Sequence, residues 1–465
     1  MQYINCRGKS VINERVRFAP SPTGFLHLGG LRTALFNFAF CKKYSGKIIL
    51  RIEDTDQSRK VDGAVTNLIE SLNQCDVTFD EGPHVGGEFG PYFQSQRLDI
   101  YSTYYKKLLE NNDAYIVFND EDPNLDYRKR RYQDVKKRMI DQKFVVKLRI
   151  PRNELISFFD ELRGQIEFDS NLLKDPIIIK SDGYPTYHFA NVVDDHEMKI
   201  SHVIRGEEWL PSCPIHVLLY KYLGWYLPKF THLPLLLNSD KSKLSKRQGD
   251  VAVESYLKKG FLPSALINFV SLLGWHPSDD TEIFSMNEMI KNFNIEKIQK
   301  GGAVFDLEKL RWMNGVYIKK MDYSYYIKFL KKHDLSIDKK KTEIIFEIVK
   351  ERSLTLLEML EESKIFVNDL DFKNDDFKVL NSQSSQLIFK YVNDNIASVD
   401  FNSLIDIATF INQISETLEI KGKDLFFPLR LAIYGKSKGP EIPRIMEALG
   451  RDETEGRIAR VLVNV

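Results

Sequence analysis

The first fifty residues contain a strand, a helix and a second strand in close succession. The short strand predicted at 16–19 ends at Pro20 and Pro22, because proline cannot donate a hydrogen bond to a β-ladder. Apolar residues then recur at helical spacing from Gly29, and Gly46 ends that helix. The run 47–52 is almost continuously apolar and rich in β-branched residues, as in a strand buried on both faces. This order predicts an α/β domain built on a parallel sheet.

Three further changes of pattern divide the chain. Between about 114 and 176, charged residues crowd together and strand-like runs become short, which predicts an α+β insertion between two halves of one sheet. Apolar strand-like runs return at 177–179, 203–204 and 233–237 and predict the second half. Beyond Val251 nearly every apolar pattern has a helical period, which predicts an all-α C-terminal region. The resulting division is 1–113 and 177–250 for the two sheet halves, 114–176 for the insertion, and 251–320 and 321–465 for two helical parts.

Composition and charge exclude several classes of protein. The hydrophobic fraction of 43% and the aromatic fraction of 12% indicate an ordered globular chain. A net charge of +1 gives no global basic field, so nucleic-acid binding would need a local stripe such as 127–138, which could equally be a solvated helix face. Four cysteines without a Cys-x-x-Cys pair predict neither a disulfide framework nor structural zinc. No apolar run reaches the ~18 residues of a membrane-spanning helix, so we expect no membrane contact.

The first predicted helix opens with His27, Leu28, Gly29 and Gly30. A glycine pair lets a phosphate approach the backbone, and a helix N-terminus favours negative charge. An imidazole at this position can hydrogen-bond a phosphate oxygen as charge develops in phosphoryl transfer. Taken alone the motif is weak, because a histidine before a glycine turn is more often a helix cap or a packing residue.

A second motif, KLSKR, runs from Lys243 to Arg247. The polar residues before it and Gly249 after it predict a flexible loop. The ammonium groups of Lys243 and Lys246 can grip the β- and γ-phosphates of a triphosphate and neutralise charge on a leaving pyrophosphate. Without further context, a solvated basic turn would be the commoner interpretation.

Together the two motifs resemble the paired signatures, written HIGH and KMSKS, of class I aminoacyl-tRNA synthetases. Further runs in the same order narrow the resemblance to glutamyl-tRNA synthetases of the bacterial and organellar type. These runs are RFAPSPTG (17–24), LRIEDTD (50–56), DGYPTYH (182–188), VIRGEEW (203–209) and FDLEKLRWMN (305–314). The resemblance implies a Rossmann-like catalytic domain, an insertion that binds the tRNA acceptor end, a helical connecting domain that contacts the tRNA stem and an all-α anticodon-binding region.

The implied activity is a ligase that converts ATP to AMP and pyrophosphate, with Mg²⁺, while joining L-glutamate to tRNA(Glu). By resemblance, His27, Lys243 and Lys246 are catalytic. The residues that would contact ATP are His27, Gly29, Gly30, Glu208, Trp209, Leu236, Lys243 and Lys246. Those that would bind glutamate are Arg17, Ser21, Glu53, Tyr187, Asn191 and Arg205.

The chemistry of the glutamate set agrees with its proposed ligand. Arg17 and Arg205 can each pair with a carboxylate, and Glu53 can take the ammonium group. An arginine-lined pocket would reject glutamine, because a neutral amide leaves a buried guanidinium unpaired. The structural alternative for the two arginines is an internal ion pair with one of three acidic residues: Asp54, Asp56 or Glu207.

The resemblance also implies contacts to tRNA at both ends of that molecule. In the insertion, Arg128, Arg130 and Arg131 are candidates for phosphate contacts. Near the anticodon, Arg352, placed on a helix with Lys350, could favour glutamate anticodons. We expect a monomer, and the resemblance leaves open whether tRNA(Gln) is also charged.

The chain departs from the family signatures at three positions. Gly30 replaces the second histidine of HIGH, while Leu244 and Arg247 replace the methionine and last serine of KMSKS. These replacements are common among bacterial-type glutamyl enzymes, so they do not argue against catalysis. The insertion lacks the Cys/His cluster that binds zinc in some relatives, so we expect no zinc and no other resident metal.

Three rival interpretations fit the sequence less well. Glutaminyl-tRNA synthetases usually have Glu-Pro-Asn where this chain has Ser21, Pro22 and Thr23, and they carry a β-barrel anticodon region. A truncated paralogue that modifies a tRNA base would lack the C-terminal helical domains. A non-catalytic tRNA-binding descendant should have lost His27 or the two lysines.

The N-terminal residues bear on the cellular compartment of the protein. The N-terminal arm, residues 1–16, has no apolar core of the kind found in a secretory signal. That arm and the sequence around His27 favour the mitochondrial matrix, with the bacterial cytoplasm as the alternative.

Overall fold

The structure is a computed structural model that describes residues 14–122, 125–244 and 251–463. The chain divides into two units, one formed by Met1–Lys258 with Pro263–Leu307, the other by Lys259–Leu262 with Glu308–Val465. The five-part division drawn from the sequence stays a prediction. No helix in the described ranges is long and apolar enough to cross a membrane.

The first unit alternates strands and helices. Its strands are β1 (Arg15–Phe18), β2 (Lys47–Leu50), β3 (Ala114–Phe118), β4 (Phe144–Leu148), β5 (Leu155–Asp160), β6 (Gly164–Asp169), β7 (Ile177–Ile179), β8 (His202–Gly206), β9 (Lys229–Leu233), β10 (Leu236–Leu237) and β11 (Ala303–Val304). Its helices are α1 (Leu28–Lys43), α2 (Ala64–Gln74), α3 (Leu98–Glu110), α4 (Tyr132–Val135), α5 (Tyr187–Glu197), α6 (Cys213–Leu223), α7 (Val253–Lys258), α8 (Pro263–Leu272) and α9 (Met286–Asn292).

Parallel strand pairs form the centre of this unit, as the sequence predicts. β1 pairs with β2, and β8 pairs with β9, each in parallel. Ser201, directly before β8, donates its backbone N–H to the carbonyl of Arg15 in β1 at 2.9 Å. Helix α1 packs against these strands, and Asn37 donates its side-chain amide to the carbonyl of Ile204 at 3.1 Å. The carboxyl ends of parallel strands are where ligands bind in open α/β sheets.

The strand β7 has a different partner from the one that the sequence suggests. The three isoleucines 177–179 were assigned to the second half of the parallel sheet, but β7 pairs antiparallel with β4, whose other neighbour is β3. The insertion therefore shares a three-stranded sheet with the residues that follow it. A short apolar run is compatible with either sheet. Its composition shows that the strand is buried, but it does not show which strand is its hydrogen-bonding partner.

A second link joins the insertion to the parallel strands. β5 and β6 form an antiparallel hairpin, and Asp160 at the end of β5 pairs in parallel with Phe230 of β9. The resulting sheet has the order β6-β5-β9-β8.

The regular elements in the described residues of the second unit are all helices, which confirms the all-α prediction for this part of the chain. Its helices are α10 (Leu307–Lys319), α11 (Tyr323–Lys332), α12 (Lys339–Lys350), α13 (Leu356–Lys364), α14 (Asn374–Leu380), α15 (Gln383–Asn395), α16 (Leu404–Leu418), α17 (Lys423–Tyr434), α18 (Ile442–Leu449) and α19 (Arg451–Val463). Buried apolar side chains such as Phe389, Ile411 and Ile445 fill the space between them.

Candidate active site

A cavity of about 580 Å³ opens in the first unit, where β1, β2 and β8 end. Every described residue that the resemblance assigns to ATP or glutamate lines it. These residues are Arg17, Ser21, His27, Gly29, Gly30, Glu53, Tyr187, Asn191, Arg205, Glu208, Trp209, Leu236 and Lys243. Lys246 lies outside the described residues.

Arg205 is the most unusual residue of the cavity, because it is a buried cation without an acidic partner. Only 5% of its surface is exposed. Its Nη1 donates to the hydroxyl of Tyr187 at 3.1 Å, its Nη2 to the sulfur of Cys213 at 3.1 Å, and its Nε to His232 Nε2 at 3.1 Å. Nη2 also lies 3.3 Å from His216 Nδ1. Within the described chain, no carboxylate lies within 4 Å of this guanidinium.

These four neighbours of Arg205 are all uncharged near neutral pH. Burial raises the pKa of Tyr187 to about 12 and also raises the pKa of the Cys213 thiol. Burial lowers the pKa of His232 to about 4 and holds the pKa of His216 well below its ordinary value. Since an uncompensated buried charge is costly, the site is suited to an anion from outside the chain.

The second arginine of the glutamate set, Arg17, belongs to a buried ionic network. Its Nε donates to Asp195 Oδ1 at 3.1 Å, and Asp195 Oδ1 also accepts from Arg51 Nη1 at 2.8 Å. Arg51 Nη2 in turn donates to Glu53 Oε1 at 3.1 Å, which accepts as well from the Asn191 amide at 3.0 Å. The network fixes Arg17 and Glu53 against the same wall.

The partner of Arg17 differs from the structural alternative considered for the sequence, which named Asp54, Asp56 or Glu207. Asp54 accepts instead from Ser95, and Glu207 from Arg163 and from the backbone N–H of Leu235. Asp56 accepts from Ser58 and Arg59. None of the three pairs with Arg17 or Arg205 in the described chain.

Burial raises the pKa of Glu53, although the neighbouring Arg51 and the Asn191 amide oppose this effect. A carboxylate whose charge is only partly compensated attracts a cation strongly. The chemistry is that of an acceptor for an ammonium group.

At the other end of the cavity, His27 is the N-cap of α1. Its Nδ1 accepts from the backbone N–H of Gly30 at 3.0 Å. In the neutral ring this bond assigns the proton to Nε2, which is therefore a donor. The two interpretations of His27 from the sequence, helix cap and phosphate ligand, are thus compatible, because the cap uses Nδ1 and a phosphate contact would use Nε2. A Cβ on Gly29 would lie 3.2 Å from His27 Nδ1, so the absence of a side chain leaves room for the ring.

The flanks of the lysine-rich loop reach the same end of the cavity. The backbone N–H of Leu244 donates to the carbonyl of Leu236 at 2.8 Å, which places Lys243 beside β10. After the loop, the carbonyl of Val251 accepts from the N–H of Leu28 at 2.9 Å. Lys243 and His27 therefore line one cavity although more than two hundred residues separate them in sequence.

Two aromatic rings of the cavity lining, those of Tyr187 and Trp209, lie in contact. The rings of Tyr187 and Trp209 have their centroids 4.1 Å apart and are inclined by 30°. The hydroxyl of Tyr187 accepts from Arg205, so Tyr187 lies between Trp209 and Arg205.

None of the candidate tRNA residues is among those that line the cavity. Arg128 pairs with Asp175 and donates to the carbonyl of Ile150, and Arg130 pairs with Glu121. Arg131 is exposed.

Arg352 is also exposed, but it does not lie on a helix. The sequence placed it on a helix together with Lys350, whereas α12 ends at Lys350. The chain turns after Lys350, and α13 then begins after its N-cap, Thr355. The Thr355 hydroxyl accepts from the backbone N–H of Glu358. The helical spacing of apolar residues continues through this turn, so the sequence pattern does not show where α12 ends.

Several residues that contact Arg17, Glu53 or Arg205 were not predicted from the sequence, among them Arg51, Asp195, His216 and His232. A signal existed for one of them. Tyr187, Asn191 and Asp195 follow one another at a spacing of four in α5, which places them on one face of that helix. The two histidines carry no such signal, because they come from separate elements. No group of three or more His, Cys, Asp or Glu side chains in the described ranges is arranged to hold a metal ion.

Comparison with known proteins identifies the family. Residues 13–312 match the family of tRNA synthetases class I (E and Q), catalytic domain, and residues 312–462 match an anticodon binding domain. The glutamate–tRNA ligase of Clostridioides difficile is 40% identical over 98% of this chain and 100% of its own length. The chain belongs to the glutamate–tRNA ligase family of class I tRNA synthetases.

Other members of the glutamate–tRNA ligase family agree in sequence and in structure. The ligase of Chlorobium phaeobacteroides is 39% identical over 97% of this chain and 98% of its own. A crystal structure of a glutamate tRNA ligase from Elizabethkingia meningosepticum, in complex with its amino acid, superposes with a TM-score of 0.88 at 37% identity, covering 97% of this chain and 99% of that one. The Rossmann-like catalytic fold and the helical anticodon domain expected from the sequence are thereby confirmed. These relatives are bacterial and do not support the mitochondrial location.

Proposed function

We propose that this glutamate–tRNA ligase family member activates L-glutamate with ATP and transfers it to tRNA(Glu). The observation that carries the proposal is Arg205, a buried guanidinium whose hydrogen-bond partners are all neutral. A substrate carboxylate would supply the missing negative charge and charge-assisted hydrogen bonds. Glutamine offers no second carboxylate, so it would leave a cation uncompensated.

In the first step, a carboxylate oxygen of glutamate attacks the α-phosphorus of ATP and pyrophosphate leaves. Arg17 and Arg205 would hold the two carboxylates while Glu53 takes the ammonium group. His27 Nε2–H would donate to a phosphate oxygen, and Lys243 and Lys246 would neutralise the leaving pyrophosphate. Mg²⁺ would bind together with ATP, coordinated by its phosphates, as is common in such sites. Glu208, Trp209 and Leu236 would contact the adenosine.

In the second step, a hydroxyl of the terminal adenosine of tRNA attacks the acyl carbon of glutamyl-adenylate and AMP leaves. No side-chain nucleophile takes part, so positioning and electrostatic stabilisation supply the rate. The insertion would take the acceptor end, with Arg131 the most exposed of its three candidate arginines. The second unit would contact the anticodon, with Arg352 as one candidate.

The test is ATP–pyrophosphate exchange with glutamate in the presence of matching tRNA(Glu), followed by charging of the tRNA. We expect glutamate-dependent exchange and no exchange with glutamine. A well-folded protein that binds tRNA(Glu) but shows no exchange would instead support the non-catalytic binding protein.

Three finer assignments belong to the same proposal. Charging of tRNA(Gln) is a separate hypothesis, tested by offering both tRNAs in parallel. A monomer is expected and is tested by sedimentation. For the compartment we adopt the bacterial cytoplasm, the alternative named from the sequence, because the relatives are bacterial.

A further inference from the structure

Behind Arg205 lies a buried pair of side chains, Asp160 and His232, that does not line the cavity. His232 is the register partner of Arg205 across the parallel strands β8 and β9, so both side chains leave the sheet on the same face. Arg205 Nε donates to His232 Nε2 at 3.1 Å. His232 and Asp160 are both fully buried, with no exposed surface.

The hydrogen bonds define which nitrogen of His232 carries the proton. Nδ1 lies 2.7 Å from Asp160 Oδ2, and a carboxylate only accepts, so Nδ1 is the donor. Nε2 therefore presents a lone pair to Arg205. The lowered pKa of His232 described above keeps the ring in this neutral form through the physiological range.

Asp160 is itself held on both oxygens. Oδ1 accepts from the backbone N–H groups of Leu162 and Arg163, each at 3.0 Å, in the turn between β5 and β6. Oδ2 accepts from the backbone N–H of His232 at 3.1 Å in addition to the ring. The carboxylate cannot rotate without breaking several hydrogen bonds, so it fixes the ring of His232.

We propose that Asp160 and His232 are positioning residues that set the orientation of the Arg205 guanidinium for a substrate carboxylate. The inference rests on the proposed function, because it takes Arg205 to be a glutamate ligand. Without an acceptor at Nε2, the guanidinium keeps its contacts to Tyr187, Cys213 and His216 but loses the hydrogen bond at Nε, so its plane can rotate about the remaining contacts. Its planar fork then no longer matches a carboxylate, so glutamate binding weakens while ATP binding is preserved.

The central test is His232→Leu, which fills a similar volume without an acceptor. In tRNA-dependent exchange we expect the KM for glutamate to rise about tenfold or more, with the KM for ATP within about twofold of the unsubstituted protein. His232→Gln returns a polar atom to the reach of Nε2 and should restore most of the glutamate affinity. His232→Asn keeps the bond to Asp160 but falls short of Arg205, so it should behave like His232→Leu and replaces it if that variant does not fold.

The matched control is Thr231→Val, one residue earlier in β9. Thr231 is fully buried, and its hydroxyl donates to Glu161 Oε2 at 2.7 Å, so it also ties β9 to the β5–β6 hairpin without touching Arg205. Valine has nearly the same shape, and both KM values should stay within about twofold of the unsubstituted protein. Melting temperatures of all four variants separate loss of folded protein from loss of affinity.

Two outcomes would overturn the inference. One is an unchanged glutamate KM in the variants that lack the acceptor. The other is a similar rise of the glutamate and ATP KM values in those variants and in Thr231→Val, which would indicate a general structural role. If the unsubstituted protein shows no exchange at all, the proposed function fails instead, and that result is visible before any variant is made.

Discussion

At the scale of single residues, Arg205 and His27 mark the two ends of the cavity. The charge of Arg205 is hydrogen-bonded to neutral partners and not to a carboxylate, while His27 caps α1 through Nδ1. Each residue therefore makes a separable prediction.

We expect Arg205→Ala to raise the KM for glutamate, at a cost of about 2–5 kcal/mol in binding, because the substrate carboxylate loses a buried charge partner. Affinity for tRNA should change little. Steady-state exchange and tRNA binding measure the two effects. Lys42→Ala is the control, since it removes a cation that pairs with Asp80 at 3.2 Å outside the cavity. Normal glutamate activation in Arg205→Ala would refute the assignment of the pocket.

The two roles of His27 can be separated by comparing asparagine with alanine. Asparagine is a good N-cap, so His27→Asn should keep the melting temperature, whereas His27→Ala should lose about 1 kcal/mol of stability. Both variants lack the Nε2 donor and should lower the rate of activation by about 10²–10³. Full activity in His27→Asn would leave the histidine as a cap and nothing more.

At the scale of elements, the sequence was most informative where structure depends on residues that are close together in the chain. The pattern of β1, α1 and β2 was predicted because proline, glycine and apolar period all act within a few residues. The partner of β7 and the end of α12 were missed, because strand pairing and turn geometry depend on distant contacts. The same reasoning explains the site. Motif residues were found, whereas His232 reaches Arg205 only through the register of two strands.

The turn between α1 and β2 gives a prediction at this scale. A Cβ on Gly46 would lie 2.1 Å from the backbone carbonyl oxygen of Glu14, which cannot move aside like a flexible side chain. We expect Gly46→Ala to lower the free energy of unfolding by about 1–3 kcal/mol. Gly301→Ala is the matched control, because no atom lies within 4 Å of its added Cβ. Denaturant titration measures both, and equal stability of the two variants would contradict the close approach.

At the scale of the whole molecule, histidines whose pKa is lowered in the folded chain make stability depend on pH. Burial is the largest cause of the lowered pKa in all six of the following residues: His84, His188, His196, His202, His216 and His232. For His232 the pKa falls from 6.5 to about 4. Between these values the unfolded chain binds a proton that the folded chain does not, so stability is lost as the pH falls.

We therefore expect the free energy of unfolding to decrease on acidification from about pH 6.5 towards pH 4, with His232 alone contributing about 3 kcal/mol. Above that window this residue is neutral in both states and contributes no pH dependence. Denaturant titration at several pH values measures the slope, and His232→Gln should reduce it. A stability that stayed level or rose on acidification would show that these side chains are charged when folded.

The contact between the rings of Trp209 and Tyr187 has a thermodynamic consequence. If Trp209 contacts the adenosine and Tyr187 the glutamate, as proposed, one wall serves both ligands and each ligand can change the affinity for the other. Linkage then requires the effect to be mutual: if ATP changes the affinity for glutamate by some factor, glutamate changes the affinity for ATP by the same factor.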